Sequence, residues 1–218
     1  MADWLCDVVS GVFTPSLPEI SSLPTIERSS AGYNYSHPTY PQPSQVLFST
    51  TPAISHDRKT IHPSPPPIPE GFESAGAGRL VTFTDPQPLT SVIDRIAKGI
   101  GNPGGISVAI PQSSSLDVME VRTVGICPGS GSSVLLHGDR NKIPDLIFTG
   151  ELSHHDALAV IERGSAVVAL FHSNTERGYL RHVMRQKLFD DLRKDWDLVE
   201  VDVSERDRDP YGIMVRQG

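Results

Sequence analysis

From Arg79 to Val203 the apolar residues change spacing repeatedly between alternate positions and every third or fourth position, and this alternation limits the chain more than any other feature. Leu80–Thr84 alternates as a strand does, and Asp85-Pro86 is expected to end it. Leu89, Val92, Ile93, Ile96 and Ile100 then recur at helical spacing, and Gly101 marks the stop. Ile106–Ile110 and Val121–Cys127 read as buried strands, Asp145–Thr149 and Leu198–Val203 as further strands, and Ala166–Phe171 as a strand apolar throughout and therefore buried on both faces. Between them, Ser153 caps a helix that Gly164 closes, and Leu180, Val183, Met184, Leu188 and Leu192 mark one stripe of a longer helix. Strands that alternate with helices predict a layered α/β unit with a mixed, partly parallel sheet.

The first third reads differently. Twelve of the 19 prolines and only ten charged residues fall in the first 75 positions, which leaves too little periodic apolar surface to offset chain entropy. Residues 1–72 are therefore expected to be a mostly disordered Pro/Ser-rich segment, with 73–218 forming the folded part. Within the first segment, Trp4–Phe13 is expected as a short amphipathic helix and Gln45–Ser49 as a strand fragment. Pro63-Ser64-Pro65-Pro66-Pro67-Ile68-Pro69 is a polyproline-type run that neither a helix nor a central strand can absorb.

Charge and cysteine usage exclude several classes of function. The 218 residues carry 19 Lys plus Arg against 26 Asp plus Glu, a net charge of −7, which argues against binding nucleic acid or an anionic membrane. Cys6 and Cys127 are too few for a disulfide scaffold or a cysteine-based zinc module, and suggest a reducing compartment. No apolar run reaches the roughly 18 residues that a membrane span needs. The first twenty residues hold Asp3, Asp7 and Glu19 without Lys or Arg, unlike a signal or transit peptide, so the expectation is a cytoplasmic protein, with a mitochondrial location left open.

Three clusters carry possible chemistry. Cys127-Pro128-Gly129-Ser130-Gly131 joins a strand to a helix, and Gly129, Ser130 and Gly131 can bring backbone N–H groups to a phosphate, or simply form a tight turn. Glu151, His154 and His155, in Thr149-Gly150-Glu151-Leu152-Ser153-His154-His155-Asp156, lie where a strand feeds a helix. There they can bind metal or move protons, or stand beside an ordinary cap made by Ser153 and Asp156. His172 and Glu176, in His172-Ser173-Asn174-Thr175-Glu176-Arg177-Gly178, straddle another strand-to-helix turn. An imidazole and a carboxylate four residues apart there can share a Zn²⁺, Mn²⁺ or Fe²⁺ ion, or Asn174 or Thr175 can simply cap the helix. His137 and His182 are expected at the surface.

These three segments, in this order and with Gly78-Arg79-Leu80 before them and Asp207-Arg208-Asp209-Pro210 after them, resemble the GTP cyclohydrolase 1 type 2 homolog family, also called the NGG-one-interacting-factor-three (NIF-three) family. The resemblance extends from about Phe72 to the C-terminus. It implies a two-part α/β fold, a homo-oligomer and a two-metal site in which His172 and Glu176 are the C-terminal ligands. It also implies metal-assisted hydrolysis of a nucleotide-like substrate such as GTP, with Glu151, His154 or His155 orienting groups or exchanging protons. The family's other ligands, a His before proline and a later His-Thr-x-x-Asp, have no counterpart here, since Ile61-His62-Pro63 has no such motif after it. The metal site is therefore expected to be incomplete and its ion weakly held. The alternative is a non-catalytic protein that acts through a protein partner. A chain lacking the first half of the fold is expected to expose an apolar patch and to self-associate, with the strand at Arg79–Thr84 left near an edge.

Overall fold

The computed structural model describes residues 1–12, 27–29, 33–36, 53–101, 105–136, 143–204, 206, 209–211 and 213–216. Helix α1 (Ala2–Ser10) comes first, followed by strands β1 (Glu27–Ser29), β2 (Tyr33–Ser36), β3 (His56–Pro63) and β4 (Gly76–Pro88). Helix α2 (Leu89–Ile100), strands β5 (Ser107–Ala109) and β6 (Glu120–Ser130), short helix α3 (Ser132–Leu135) and strand β7 (Leu146–Glu151) follow. Helix α4 (His154–Ile161), strand β8 (Ala166–Ala169), helix α5 (Asn174–Tyr179), a π-helical turn (Leu180–Met184), helix α6 (Arg185–Leu192) and strand β9 (Ile213–Arg216) complete the described elements.

Six strands form the main sheet in the order β3-β4-β6-β7-β8-β5. Strands β6, β7 and β8 are parallel neighbours, with Cys127 opposite Thr149 and Thr149 opposite Ala169, while β3, β4 and β5 join antiparallel. The expected mixed sheet is thus present. Its three parallel strands send their carboxyl ends to one edge, the place where open α/β sheets gather ligands. A second, three-stranded antiparallel sheet has the order β1-β2-β9.

The main sheet follows the apolar pattern. Val81 and Phe83 of β4, Val121, Val124 and Ile126 of β6, Leu146 and Phe148 of β7 and Ala166 and Val168 of β8 are buried together with Leu89, Val92, Ile96 and Ile100 of α2. Ile147 and Val167 point to the opposite face and pack with Val160 of α4, so β7 and β8 are covered on both sides as continuous apolar strands should be. At about 1.5–3 kcal/mol for each large apolar side chain fully buried, this shared layer is the main source of cohesion.

Of the helix expected at Trp4–Phe13, the part to Ser10 is present in α1 and belongs to the core, Gly11 caps it, and Phe13 lies outside the described residues. Trp4, Leu5, Cys6, Val8 and Val9 are all buried. Two ion pairs clamp it to the sheet: Arg79 Nε and Nη2 donate to the two carboxylate oxygens of Asp3 at 2.8 Å each, and Arg58 Nη2 meets Asp7 at 2.6 Å. Arg95 Nε donates to Val9 O at 2.7 Å and so satisfies a carbonyl at the C-terminal end of α1.

Several expectations fail, each for a physical reason. Residues 56–63, placed in the unstructured segment, form β3; it lies at the sheet edge and its single proline, Pro63, is the last residue, a position that tolerates the missing N–H. With β3 outside it, β4 is interior and Arg79–Thr84 is not an edge. Asp85-Pro86 does not end β4 but falls within a register shift between Thr82 and Gln87. Ile106–Ile110 yields a short edge strand with Ser107 and Val108 exposed. Leu198–Val203 is irregular, and Leu198 is 96% exposed. Of the stripe expected on the last helix, Val183 packs against the core beside Tyr179, whereas Leu180, Met184 and Leu188 are exposed, so only part of that stripe faces inward. His182 is not a surface residue: both of its ring nitrogens are shut off from water. The strand expected at Gln45–Ser49 and the loop carrying His137 lie outside the described residues.

Candidate functional site

Three strand ends build the site. Strand β6 runs out through Cys127 and Pro128 to Gly129, whose φ of +67° puts it in the left-handed region. Strand β7 ends at Gly150 and Glu151. After β8, Leu170 N still donates to Thr149 O at 3.2 Å, and then Phe171 turns the chain with a φ of +68°, the single positive value among the described non-glycine residues. Such a conformation costs of order 1–3 kcal/mol at a bulky residue. Its effect is to turn His172 out of the strand direction and back over the ends of β6 and β7.

The three turns are pressed together. A Cβ on Gly150 would lie 2.7 Å from Gly129 O and 2.9 Å from both Cα and O of His172, so only glycine fits between its neighbours. A Cβ on Gly129 would lie 2.9 Å from His172 Nε2 and 3.2 Å from Glu176 Oε1. The imidazole nitrogen and the carboxylate oxygen therefore approach the same point above Gly129, within about 6 Å of each other. His172 Nδ1 lies 3.0 Å from Glu151 Oε2. With Glu151 ionised, Nδ1–H donates to it and Nε2 is left as the free lone pair on the Glu176 side.

Electrostatics follow the geometry. The hydrogen bond to Glu151 raises the pKa of His172 above its ordinary value against a smaller desolvation effect, and the charges of Glu151, Glu176 and Asp209 push in the same direction. Asp209, from the C-terminal segment, is buried; it lies in the Asp-Arg-Asp-Pro motif, but nothing in that motif marks it as a site residue. Burial, with a smaller contribution from Glu176, raises the pKa of Cys127 and keeps it a thiol; Cys6 and Cys127 are both free.

The sequence candidates divide into those brought together and those kept apart. Gly129, Glu151, His172 and Glu176 converge. His154 and His155 are exposed at the start of α4, where their rings meet edge to face at 5.5 Å; among the described residues no hydrogen bond or ion pair joins them to the converging group. Ser153 does cap α4, accepting from Asp156 N at 3.1 Å, and Asp156 also accepts from Ser132 Oγ at 2.7 Å. The glycine turn has a different use from a phosphate cradle. Gly129 N–H donates to Thr175 Oγ1 at 2.8 Å, and Gly131 N–H donates to Glu151 O at 3.2 Å, so both are already engaged. Thr149 and Thr175, fully buried and bonded to Gly129, escape a reading of the sequence, because nothing local signals a partner 20 or 46 residues away.

A divalent ion is the group that the sequence resemblance implies. The donors are chemically suitable: an imidazole whose other nitrogen is held by a carboxylate is the usual arrangement of a metal-ligating histidine. Their number is small, since among the described residues no cluster of three or more His, Cys, Asp or Glu could hold a metal ion. His172 and Glu176 fit as a partial donor set, not a closed one.

The fold and site define an α/β protein with an imidazole–carboxylate pair at the carboxyl edge of its parallel strands. The family model described as Duf34/NIF3 (NGG1p interacting factor 3) matches residues 14–210, and the chain belongs to this family. It is 40% identical over 142 residues to Protein NIF3 homolog of Schizosaccharomyces pombe, a match covering 65% of this chain and 48% of that one. It is 37% identical over 139 residues to human NIF3-like protein 1, covering 64% and 34%. NGG1-interacting factor 3 of Saccharomyces cerevisiae is 34% identical over 138 residues, covering 63% and 45%. The chain spans less than half the length of these relatives. Among solved structures, a Bacillus cereus protein related to NIF3 matches with a TM-score of 0.49 and 20% identity, over 64% of this chain and 36% of that one. Among the described residues no helix is long and apolar enough to cross a membrane.

Proposed function

We propose that this chain carries one part of a divalent-metal site of a hydrolase acting on a nucleotide-like substrate. His172 Nε2 and Glu176 supply the protein donors, and Glu151 orients the imidazole. The observation that supports this most is the 3.0 Å contact from His172 Nδ1 to Glu151, which fixes the ring so that Nε2 faces the Glu176 carboxylate across Gly129. A Zn²⁺, Mn²⁺ or Fe²⁺ ion bound there would polarise an attacked bond and acidify its water. The chain's own contribution is to place the two donors, hold Nδ1 protonated through Glu151, and keep the Cys127 thiol out of the reaction by burial. With two donors the ion is expected to be weakly held.

Isothermal titration with Zn²⁺ and Mn²⁺ tests the reading. Weak saturable binding is expected in the wild type and should be lost in His172→Ala and in Glu176→Ala. Binding unchanged in both variants would refute the ligand assignment, and tight stoichiometric binding in the wild type would refute the incomplete site. A second reading, a protein-interaction role, is suggested by the name of the yeast relative, NGG1-interacting factor 3. It predicts that binding of a protein partner persists in the same two variants and that GTP is not consumed when Mn²⁺ is present. A homo-oligomer is the expected assembly in either case, to be read by sedimentation at tens of micromolar.

A further inference from the structure

One hydroxyl ties the floor of the site to the backbone that carries its imidazole. Thr175 is fully buried, and its Oγ1 accepts from Gly129 N–H at 2.8 Å while donating to His172 O at 2.8 Å. A hydroxyl has one proton to give, and this proton is committed to His172 O, so the lone pair facing Gly129 is fixed in direction. The other side of the same residue is held as well, since Thr149 Oγ1 donates to Gly129 O at 3.0 Å. Gly129 is therefore bound through its N–H to the first turn of α5 and through its C=O to β7. The residue so held is the one whose Cα faces His172 Nε2 and Glu176 Oε1.

We propose that Thr175 is a positioning residue: its hydroxyl sets the separation between Gly129 and the His172–Glu176 pair, and so fixes where the two donor atoms converge. The proposal rests on the metal-donor reading of that pair for its affinity consequences, but the positioning itself does not need a metal. A methyl group in place of the hydroxyl fills the same volume and removes both bonds, leaving Gly129 N–H and one acceptor site of His172 O unpaired in a buried place. The β6 turn then loses this tether to α5, and the imidazole loses its reference to Glu176. Serine keeps the hydroxyl and loses only the methyl.

The test compares the full chain with Thr175→Val and Thr175→Ser. Hydrogen exchange at the Gly129 amide and the side-chain ¹⁵N shift of His172 Nδ1 are read without metal, and Zn²⁺ affinity is read by competition with a zinc-sensitive dye. In Thr175→Val the Gly129 amide should exchange faster, the His172 Nδ1 signal should move, and affinity should fall roughly 10- to 100-fold, as for other groups that orient a ligand. Thr175→Ser should match the wild type in all three. A serine variant as impaired as the valine variant would overturn the proposal, because the methyl and not the hydroxyl would then matter. So would a folded valine variant with an unchanged His172 signal. If the valine variant does not fold, Thr175→Ala takes its place, and a folded alanine variant with an unchanged His172 signal would overturn the proposal. Absence of Zn²⁺ binding in the wild type would sink the metal reading, and the two metal-free signals would still support or overturn the role of Thr175.

Discussion

Acid should destabilise this protein through a residue outside the candidate donor pair. His182 lies within the π-helical turn Leu180–Met184, and among the described residues neither of its buried ring nitrogens has a hydrogen-bond partner. Burial, with a smaller push from the Arg181 guanidinium, lowers its pKa from the ordinary 6.5 to about 4. The folded state thus favours the neutral ring, and the unfolded chain takes up a proton first as pH falls. Stability is fully present above about pH 6.5 and is lost as pH falls through the window down to about 4. Each tenfold difference in proton affinity between the folded and unfolded chain corresponds to about 1.36 kcal/mol, so the loss is about 2 kcal/mol by pH 5 and about 3 kcal/mol by pH 4. Against a typical domain stability of about 5–15 kcal/mol, this is a large fraction. Carboxylates titrate in the same range, so the assay compares urea unfolding of the wild type and His182→Leu at pH 7 and pH 5. The leucine variant should lose about 2 kcal/mol less between the two, and at pH 7 it should be no less stable, since two unpaired buried nitrogens are removed. Parallel losses in the two proteins, or a His182 NMR titration centred above pH 6, would refute the argument.

Other substitutions test the packing around the site. A Cβ on Gly178 would run into the indole ring of Trp4, so Gly178→Ala should cost about 1–3 kcal/mol in chemical denaturation, and a variant as stable as the wild type would show that α1 does not pack on α5. Gly129→Ala places a side chain at φ +67° against His172 Nε2 and should cost about 1–2 kcal/mol while abolishing Zn²⁺ binding; retained affinity would count against the convergence of the two donors. Asp3→Ala removes the two-pronged partner of the buried Arg79 and should lower stability by about 1–3 kcal/mol, whereas a change within a few tenths would make that pair incidental.

Much of the fold can be read from the sequence because period and burial agree. Ala166–Phe171 and Asp145–Thr149 are apolar almost throughout, and they form neighbouring parallel strands covered on both faces. The misreadings have local causes. Proline density disguises β3, although an edge strand that ends in Pro63 loses no ladder bond. The stripe Leu180, Val183, Met184, Leu188, Leu192 has the spacing of a core face, but of these Val183 packs against the core, partly buried beside Tyr179, while Leu180, Met184 and Leu188 are exposed, so the inward face is centred nearer Tyr179 and Val183. Val199, Val201 and Val203 alternate like a strand yet pair with none of the described strands. In the site, the spacing of His172 and Glu176 leaves a ligand pair or an ordinary helix start open, and the resemblance of their motif singles them out, while Glu151 is legible from its place at a strand end. Thr149, Thr175 and Asp209 are not, since their role depends on partners that only the folded chain brings near.

The segment His172–Gly178 shows why a motif that looks wholly chemical need not be. His172 meets Glu151, and Glu176 offers its carboxylate beside Gly129. Asn174, fully buried, gives its Nδ2–H to Leu170 O at 2.7 Å and takes a bond from Arg177 Nη1 at 2.6 Å, holding the turn that Phe171 opens. Thr175 fastens the Gly129 turn, and Gly178 leaves room for the Trp4 ring. Two of these side chains can reach a ligand, and the others keep those two in place against strands β6 and β8 and helix α1. Loss of a residue from the second group should therefore spread through both stability and donor geometry, whereas loss of His172 or Glu176, both at least partly exposed, should be felt at the site alone. Thermal melts of His172→Ala and Glu176→Ala close to the wild type, beside a lowered melt for Asn174→Ala, are the expected pattern. The reverse order would mean that the imidazole and the carboxylate are held for the fold and not for a ligand.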